Sequence, residues 1–126
     1  MHPGMISCPP EASLRTVARM MASYRVHAII VHEHDEDRLP GGQGWGVVTD
    51  VDVVRAGLHA DLDELTAVQV AATPVLTVST ADRLERAMQL MTEHEVTHLI
   101  VVERHSGRPI GVLSTLDVAR VLSGRA

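Results

Sequence analysis

Two stretches of this 126-residue chain set a hydroxyl and a carboxylate at one and the same spacing. In Gly46-Val47-Val48-Thr49-Asp50-Val51-Asp52, and again in Gly111-Val112-Leu113-Ser114-Thr115-Leu116-Asp117, a glycine opens two apolar residues, a hydroxyl residue follows, and an Asp stands three positions later. Each reads as a short strand running into a helix. A carboxylate at that junction accepts two hydrogen bonds from a vicinal diol such as a ribose carries, and charged acceptors make the stronger bonds. Asp52 and Asp117 suit that role. Thr49 and Ser114, one turn earlier, stand beside the N–H groups that open the helix and can donate to a phosphate or ribose oxygen there. Helix capping alone would also select these residue types, but two copies weigh against capping as the whole account.

Other chemistry-bearing groups are weaker. His94-Glu95-Val96-Thr97-His98 matches the H-E-x-x-H zinc motif, which works only where both His lie on one continuous helix. Here Thr97 runs straight into Leu99-Ile100-Val101-Val102, a strand pattern, so the helix ends before His98 and a zinc protease is not expected. His32-Glu33-His34-Asp35-Glu36-Asp37 could hold a metal, but it reads better as a solvated acidic loop. Arg55 and Arg120, three residues after the two Asp residues, fit i, i+3 ion pairing on a helix surface. No nucleophile elbow, phosphate loop or paired Cys motif is present, and no enzymatic activity is expected.

Composition narrows the classes further. A formal net charge of -5 gives no basic field for a nucleic-acid backbone. Hydrophobic residues make up 45% but aromatics only 2%, so aliphatic side chains must fill the core. Cys8 is the single cysteine, which excludes an internal disulfide. No apolar run approaches the roughly 20 residues of a membrane span. Together these predict a soluble, cytoplasmic protein.

The elements that must position the two stretches recur in order. Met5 to Cys8 reads as a short strand, and Leu14, Val17, Ala18, Met21 and Tyr24 as one face of a helix. Val26 to Val31 reads as a buried strand, Trp45 to Thr49 as another, and Asp50 to His59 as a helix. After a linker with a helical turn at Val68 to Ala72, the pattern repeats. Val75 to Val78 is a strand, Leu84, Ala87, Met88 and Met91 a helix face, His98 to Val102 and Pro109 to Ser114 strands, and Thr115 to Leu122 the closing helix. Leu14 and Leu84, Met21 and Met91, and Ile29 and Leu99 lie seventy apart, whereas Thr49 and Ser114, and Asp52 and Asp117, lie sixty-five apart. The five-residue difference falls in the polar loop after the second strand, where insertions are tolerated, so the chain is an internal duplication. The expected boundaries are 1–60 for the first repeat, 61–73 for the linker and lead-in helix of the second, and 74–126 for the second.

This order of elements, the doubled G-x-x-[ST]-x-x-D signature, and Thr66-Ala67-Val68 leading to Thr73-Pro74-Val75-Leu76-Thr77-Val78 resemble the cystathionine β-synthase (CBS) domain, in the tandem form called a Bateman module. The resemblance runs from Met5 to Leu122. It implies an α/β (α+β) fold of two pseudo-twofold-related β-α-β-β-α repeats packed through their sheets. It also implies regulatory binding of an adenosine-containing ligand (AMP, ADP, ATP or S-adenosylmethionine) in clefts between the repeats, with no other cofactor, and a homodimer. Carried over by position, one cleft would use Thr49 and Asp52 with Thr77, Val78, Thr97 and His98. The other would use Ser114 and Asp117 with Ser7, Cys8, His27 and Ala28. The backbone at Val78 and Cys8 would read the adenine edge. A dimerisation module that keeps the fold without the ligand is the alternative, and a separate effector protein is a further partner that the regulatory reading allows.

Overall fold

The computed structural model describes residues 5–32, 44–71 and 76–124. They fall into two units, residues 6–32 with 44–71, and residues 76–124 joined by Met5. The fold is mixed α/β, with two three-stranded sheets and five helices among the described residues.

In the first unit, β1 (Ser7–Cys8) lies parallel to β2 (Ala28–His32), which pairs antiparallel with β3 (Trp45–Thr49). Helix α1 (Leu14–Tyr24) joins β1 to β2, α2 (Asp50–His59) follows β3, and the single turn α3 (Ala67–Val70) closes the unit. In the second unit, β4 (Thr77–Ser79), β5 (His98–Val102) and β6 (Pro109–Ser114) repeat the pairing, with α4 (Leu84–His94) and α5 (Thr115–Leu122) in the places of α1 and α2.

Apolar periodicity explains the helices. Leu14, Val17 and Met21 share the buried face of α1, and Ala87, Leu90 and Met91 that of α4. The Ser13 hydroxyl starts α1 by accepting from Thr16 N at 3.1 Å. Both helices stop in the same way. Arg25 and Glu95, seventy apart, sit in the left-handed region at φ 53°, and Val26 N and Val96 N each reach back 3.1 Å to Met21 O and Met91 O. That 6→1 bond satisfies a terminal carbonyl and turns the chain into the next strand. It consumes Arg25 and Val26, so β2 starts at Ala28 rather than at Val26 as the β-branched run predicts.

Each unit has its own core. Cys8, Leu14, Val17, Ile29, Val31 and Val48 meet between the first sheet and α1, and Val78, Ala87, Leu90, Leu99, Val101 and Val118 between the second sheet and its helices. The alternate residues Ala28, Ile30 and Val47 are buried too, which is why these strands read as unbroken apolar runs.

The segment 61–71, which leads in sequence toward the second repeat, makes its contacts on the first unit. Leu65 O accepts from Leu14 N at 2.9 Å and Leu62 O from Arg15 N at 3.2 Å. Ala67 N and Val68 N donate to Ala12 O and Pro10 O at 2.8 and 3.0 Å. Ala67 is wholly buried in the first core, and the Arg15 guanidinium holds Asp63 at 2.6 Å and Asp61 at 3.5 Å.

Candidate functional site

The strand-to-helix junctions form two matching constructions. At the first, Asp52 Oδ2 accepts from Thr49 N at 2.8 Å and from the Thr49 hydroxyl at 2.9 Å, and Asp52 N donates back to that hydroxyl at 3.2 Å. At the second, Asp117 Oδ2 accepts from Ser114 N at 2.8 Å and from the Ser114 hydroxyl at 3.0 Å, with Asp117 N returning a bond at 3.1 Å. Both are reciprocal capping boxes. A box of this kind fixes the rotamers of both side chains, and so the direction in which the carboxylate faces.

It also uses the groups that the sequence offered to a phosphate. The hydroxyl hydrogens of Thr49 and Ser114 go to their own Asp partners. The opening N–H groups are engaged as well. Asp50 N donates to His27 O at 2.9 Å, Val51 N to Asp50 Oδ1 at 2.8 Å, and Thr115 N to Thr97 O at 2.9 Å. Strand-start carbonyls and side chains thus take the first three N–H groups of α2, and those of Thr115 and Asp117 in α5. On the first carboxylate the outer oxygen, Asp52 Oδ1, faces Arg55 Nη1 at 3.7 Å, the i, i+3 pairing expected for Arg55. The Arg55 side chain is 69% exposed against 11% for Asp52, so a long mobile cation lies over a fixed, partly buried acceptor.

Strand register decides which candidate residues meet. Ala28 stands opposite Thr49, and His98 opposite Ser114. Ser7 and Cys8 flank the same first sheet through Ile30 and Val31, as Thr77 and Val78 flank the second through Ile100 and Val101. The twelve candidates thus gather as two sets of six. Ser7, Cys8, His27, Ala28, Thr49 and Asp52 lie in one unit, and Thr77, Val78, Thr97, His98, Ser114 and Asp117 in the other. The expectation by position joins each signature to strand residues of the opposite repeat, and remains an expectation.

The Cys8 side chain points into the core, where burial, reinforced by Glu11, pushes its thiol up to about 11. Only its backbone remains for recognition. Val78 is likewise buried. Thr97 and His98 are joined side chain to side chain, Oγ1 to Nδ1, at 2.8 Å.

Asp50 is a residue that motif reading passed over. Its Oδ2 lies 2.8 Å from His27 Nδ1, an ion pair when the imidazole is protonated. The signal was available as an acidic residue at the position where the second copy has Thr115, but twenty-three residues separate it from His27, and only the β2–β3 pairing brings the two together.

The H-E-x-x-H stretch is divided as expected: α4 ends at His94, Glu95 is its left-handed cap, and His98 opens β5. The acidic loop lies outside the described residues from Glu33 onward, and among the described residues no group of three or more His, Cys, Asp or Glu could hold a metal ion. None of the described helices is long and apolar enough to cross a membrane.

Comparison with known proteins agrees with this fold. The family model of the CBS domain matches residues 1–59 and again 67–124. Hypoxic response protein 1 of Mycobacterium tuberculosis is 29% identical over 128 residues, spanning all of this chain and 84% of that protein. A CBS domain protein from Pyrobaculum aerophilum, solved in complex with AMP, superposes with a TM-score of 0.77 at 30% identity, over 98% of this chain and 92% of that one. Hypoxic response protein I, solved with two coordinated zinc ions, shares the fold at a TM-score of 0.71 and 23% identity, over 95% of this chain and 92% of its own.

Proposed function

The chain belongs to the CBS-domain family, and we propose that it is a regulatory module that binds an adenosine-containing nucleotide and answers by a change of conformation or assembly. The observation that carries this reading is the pair of capping boxes at equivalent places in the two repeats, each holding one carboxylate rigid. In this reading Asp52 and Asp117 accept the 2′- and 3′-hydroxyls of a ribose. Thr49 and Ser114 fix those carboxylates and offer a remaining lone pair. The backbone at Cys8 and Val78 reads the adenine edge, and the strand starts His27–Ala28 and Thr97–His98, with Ser7 and Thr77, line the sites. The AMP complex of the Pyrobaculum aerophilum relative supports this choice of ligand class. Because five of the six opening N–H groups of α2 and α5 are engaged, an adenosine and its first phosphate are favoured over a long phosphate chain. A ligand that engages residues of both repeats favours whichever arrangement lets it reach both, and such differential affinity is what a switch requires. The apolar helix faces pair with a second copy, giving a homodimer.

Calorimetry with AMP, ADP, ATP, NAD and S-adenosylmethionine tests the assignment. At least one should bind at millimolar concentration or below, and Asp52→Ala with Asp117→Ala should abolish that binding; unchanged binding in the double variant removes these sites.

One observation favours a second reading, a dimerisation module without a ligand: both hydroxyl–carboxylate pairs are complete as helix caps. The two readings part in thermal melting, since a ligand at a hundred times its dissociation constant adds about 2.7 kcal/mol of stability. A melting temperature that none of the five nucleotides shifts would favour the second.

A further inference from the structure

The paired helices of the two units carry opposite relief. In the second unit α5 packs beside α4, and Met88, Thr92, Ala119 and Leu122 are among the residues that line a recess of about 210 Å³ between them. Seventy residues back from the first two, and sixty-five back from the last two, the first unit has Ala18, Ala22, Val54 and Gly57 on its own packed pair, α1 and α2. Each exchange reverses size. Where the second unit sets long side chains around the small Ala119, the first sets a 68% exposed Val54 among residues with little or no side chain. A methyl group added at Gly57 would meet nothing within 4 Å. One surface is a hollow and the other a ridge.

Charge follows the relief. Arg19 and Arg25 stand next to Ala18 and three beyond Ala22, whereas Glu93 and Glu95 stand next to Thr92 and three beyond it, all four exposed. Resting on the homodimer proposed above, we infer that the dimer joins unlike repeats: α2 of one copy lies antiparallel on α5 of the second, with Val54 seated in the recess against that copy's Ala119. In this register Gly57 meets Leu116 and Val51 meets Leu122, so ridge enters groove and no level of the seam is empty. Like pairing would need α5 on α5 as well as α2 on α2. On α5 it sets Ala119 against Ala119 between two contacts of Leu116 with Leu122, a void that costs packing energy. Unlike pairing also brings the basic surface to the acidic one, which like pairing does not. Used twice, reciprocally, the contact closes on two chains.

Two measurements on the full chain test this. In the first, chains carrying Val54→Cys and chains carrying Ala119→Cys are mixed, allowed to exchange and oxidised; Cys8 is buried and stays out of the reaction. Disulfide-linked pairs should form in the mixture and from neither variant alone. Val54→Cys linking to itself shows like pairing and overturns the inference, as does a sedimenting dimer that no combination links. In the second, sedimentation equilibrium reads the dimer dissociation constant of Ala119→Val, alone and with Val54→Ala. Overfilling the recess should weaken association roughly tenfold. The double variant puts the same two side chain types back at each contact and should restore it. Tighter association of Ala119→Val, as filling a void would give, overturns the inference, and so does a double variant no tighter than Ala119→Val. A wild-type chain that sediments as a monomer removes the homodimer itself, whereas a dimer with the wrong links removes this arrangement alone. Val54 and Ala119 are both exposed, so the variants should fold.

Discussion

Asp52 presents its two carboxylate oxygens to different surroundings: Oδ2 lies inside the capping box with Thr49, and Oδ1 faces Arg55 3.7 Å away. Cap and ligand acceptor are therefore separable by substitution. Asp52→Asn keeps a carbonyl oxygen for Thr49 N while removing the charge, so urea unfolding should stay near the wild-type curve. Nucleotide affinity should fall about tenfold, because hydrogen bonds to charged acceptors are the stronger. Asp52→Ala loses the box as well and should cost about 1 kcal/mol of stability. If calorimetry finds the Asn variant binding nucleotide like the wild type, the carboxylate is a cap and nothing more. Cys8 makes a second prediction at this scale. Burial raises its thiol from the ordinary 9.0 to about 11, which means the folded core accepts only the neutral form. That contribution to stability is whole below about pH 9 and is lost as pH rises toward 11. Unfolding free energy should decline over that window, Cys8→Ala should flatten the decline, and iodoacetamide should label Cys8 at pH 8 only in denaturant.

At the scale of the element, α1 and α4 end on non-glycine residues in the left-handed region, a backbone state that costs an L-residue roughly 1–2 kcal/mol. Glycine removes that cost and loses part of the gain to its greater freedom in the unfolded chain. Arg25→Gly and Glu95→Gly should each stabilise by about 0.5–1 kcal/mol in urea unfolding. For Glu95 the result also bears on the H-E-x-x-H match, since the residue that would be a protease's base is here a strained cap. The elements themselves were legible: α2, α5, β3, β5 and β6 end where periodicity and β-branching put them, because local patterning sets those limits. The carboxylates were legible too, since a doubled spacing survives in sequence. Which strand residues stand opposite Thr49 and Ser114 within each sheet depends on β2–β3 and β5–β6 register, and the hydrogen bonds of the two hydroxyls depend on rotamers; neither leaves a trace in residue spacing. Thr66-Ala67-Val68 reads as the lead-in to the second repeat, and its backbone bonds reach back more than fifty residues to Pro10 and Ala12, which residue spacing does not show.

For the whole molecule, the decisive surface is the set of apolar side chains that each closing helix leaves to solvent. On α2, Val51, Val54 and Leu58 are 52%, 68% and 76% exposed and stand at i, i+3 and i+7, and that helix buries no residue within its own unit. On α5, Leu116, Val121 and Leu122 are exposed to a similar degree. Scattered apolar side chains need no partner, but a helical stripe does, and α5 exposes apolar residues too, with Leu116 at the position equivalent to Val51, which suits a contact with a second copy. Wild-type protein should therefore sediment with the mass of two chains, and its melting temperature should rise with concentration, as it must when folding and association are linked. Val54→Glu with Leu116→Glu should convert it to a monomer by setting charges into a desolvated seam. Both side chains already face solvent in the isolated chain, so the monomer should keep its circular dichroism and a melting temperature independent of concentration. A wild-type chain that sediments as a monomer at every concentration would leave these stripes without a second copy, and the regulatory output would then have to act through conformation alone.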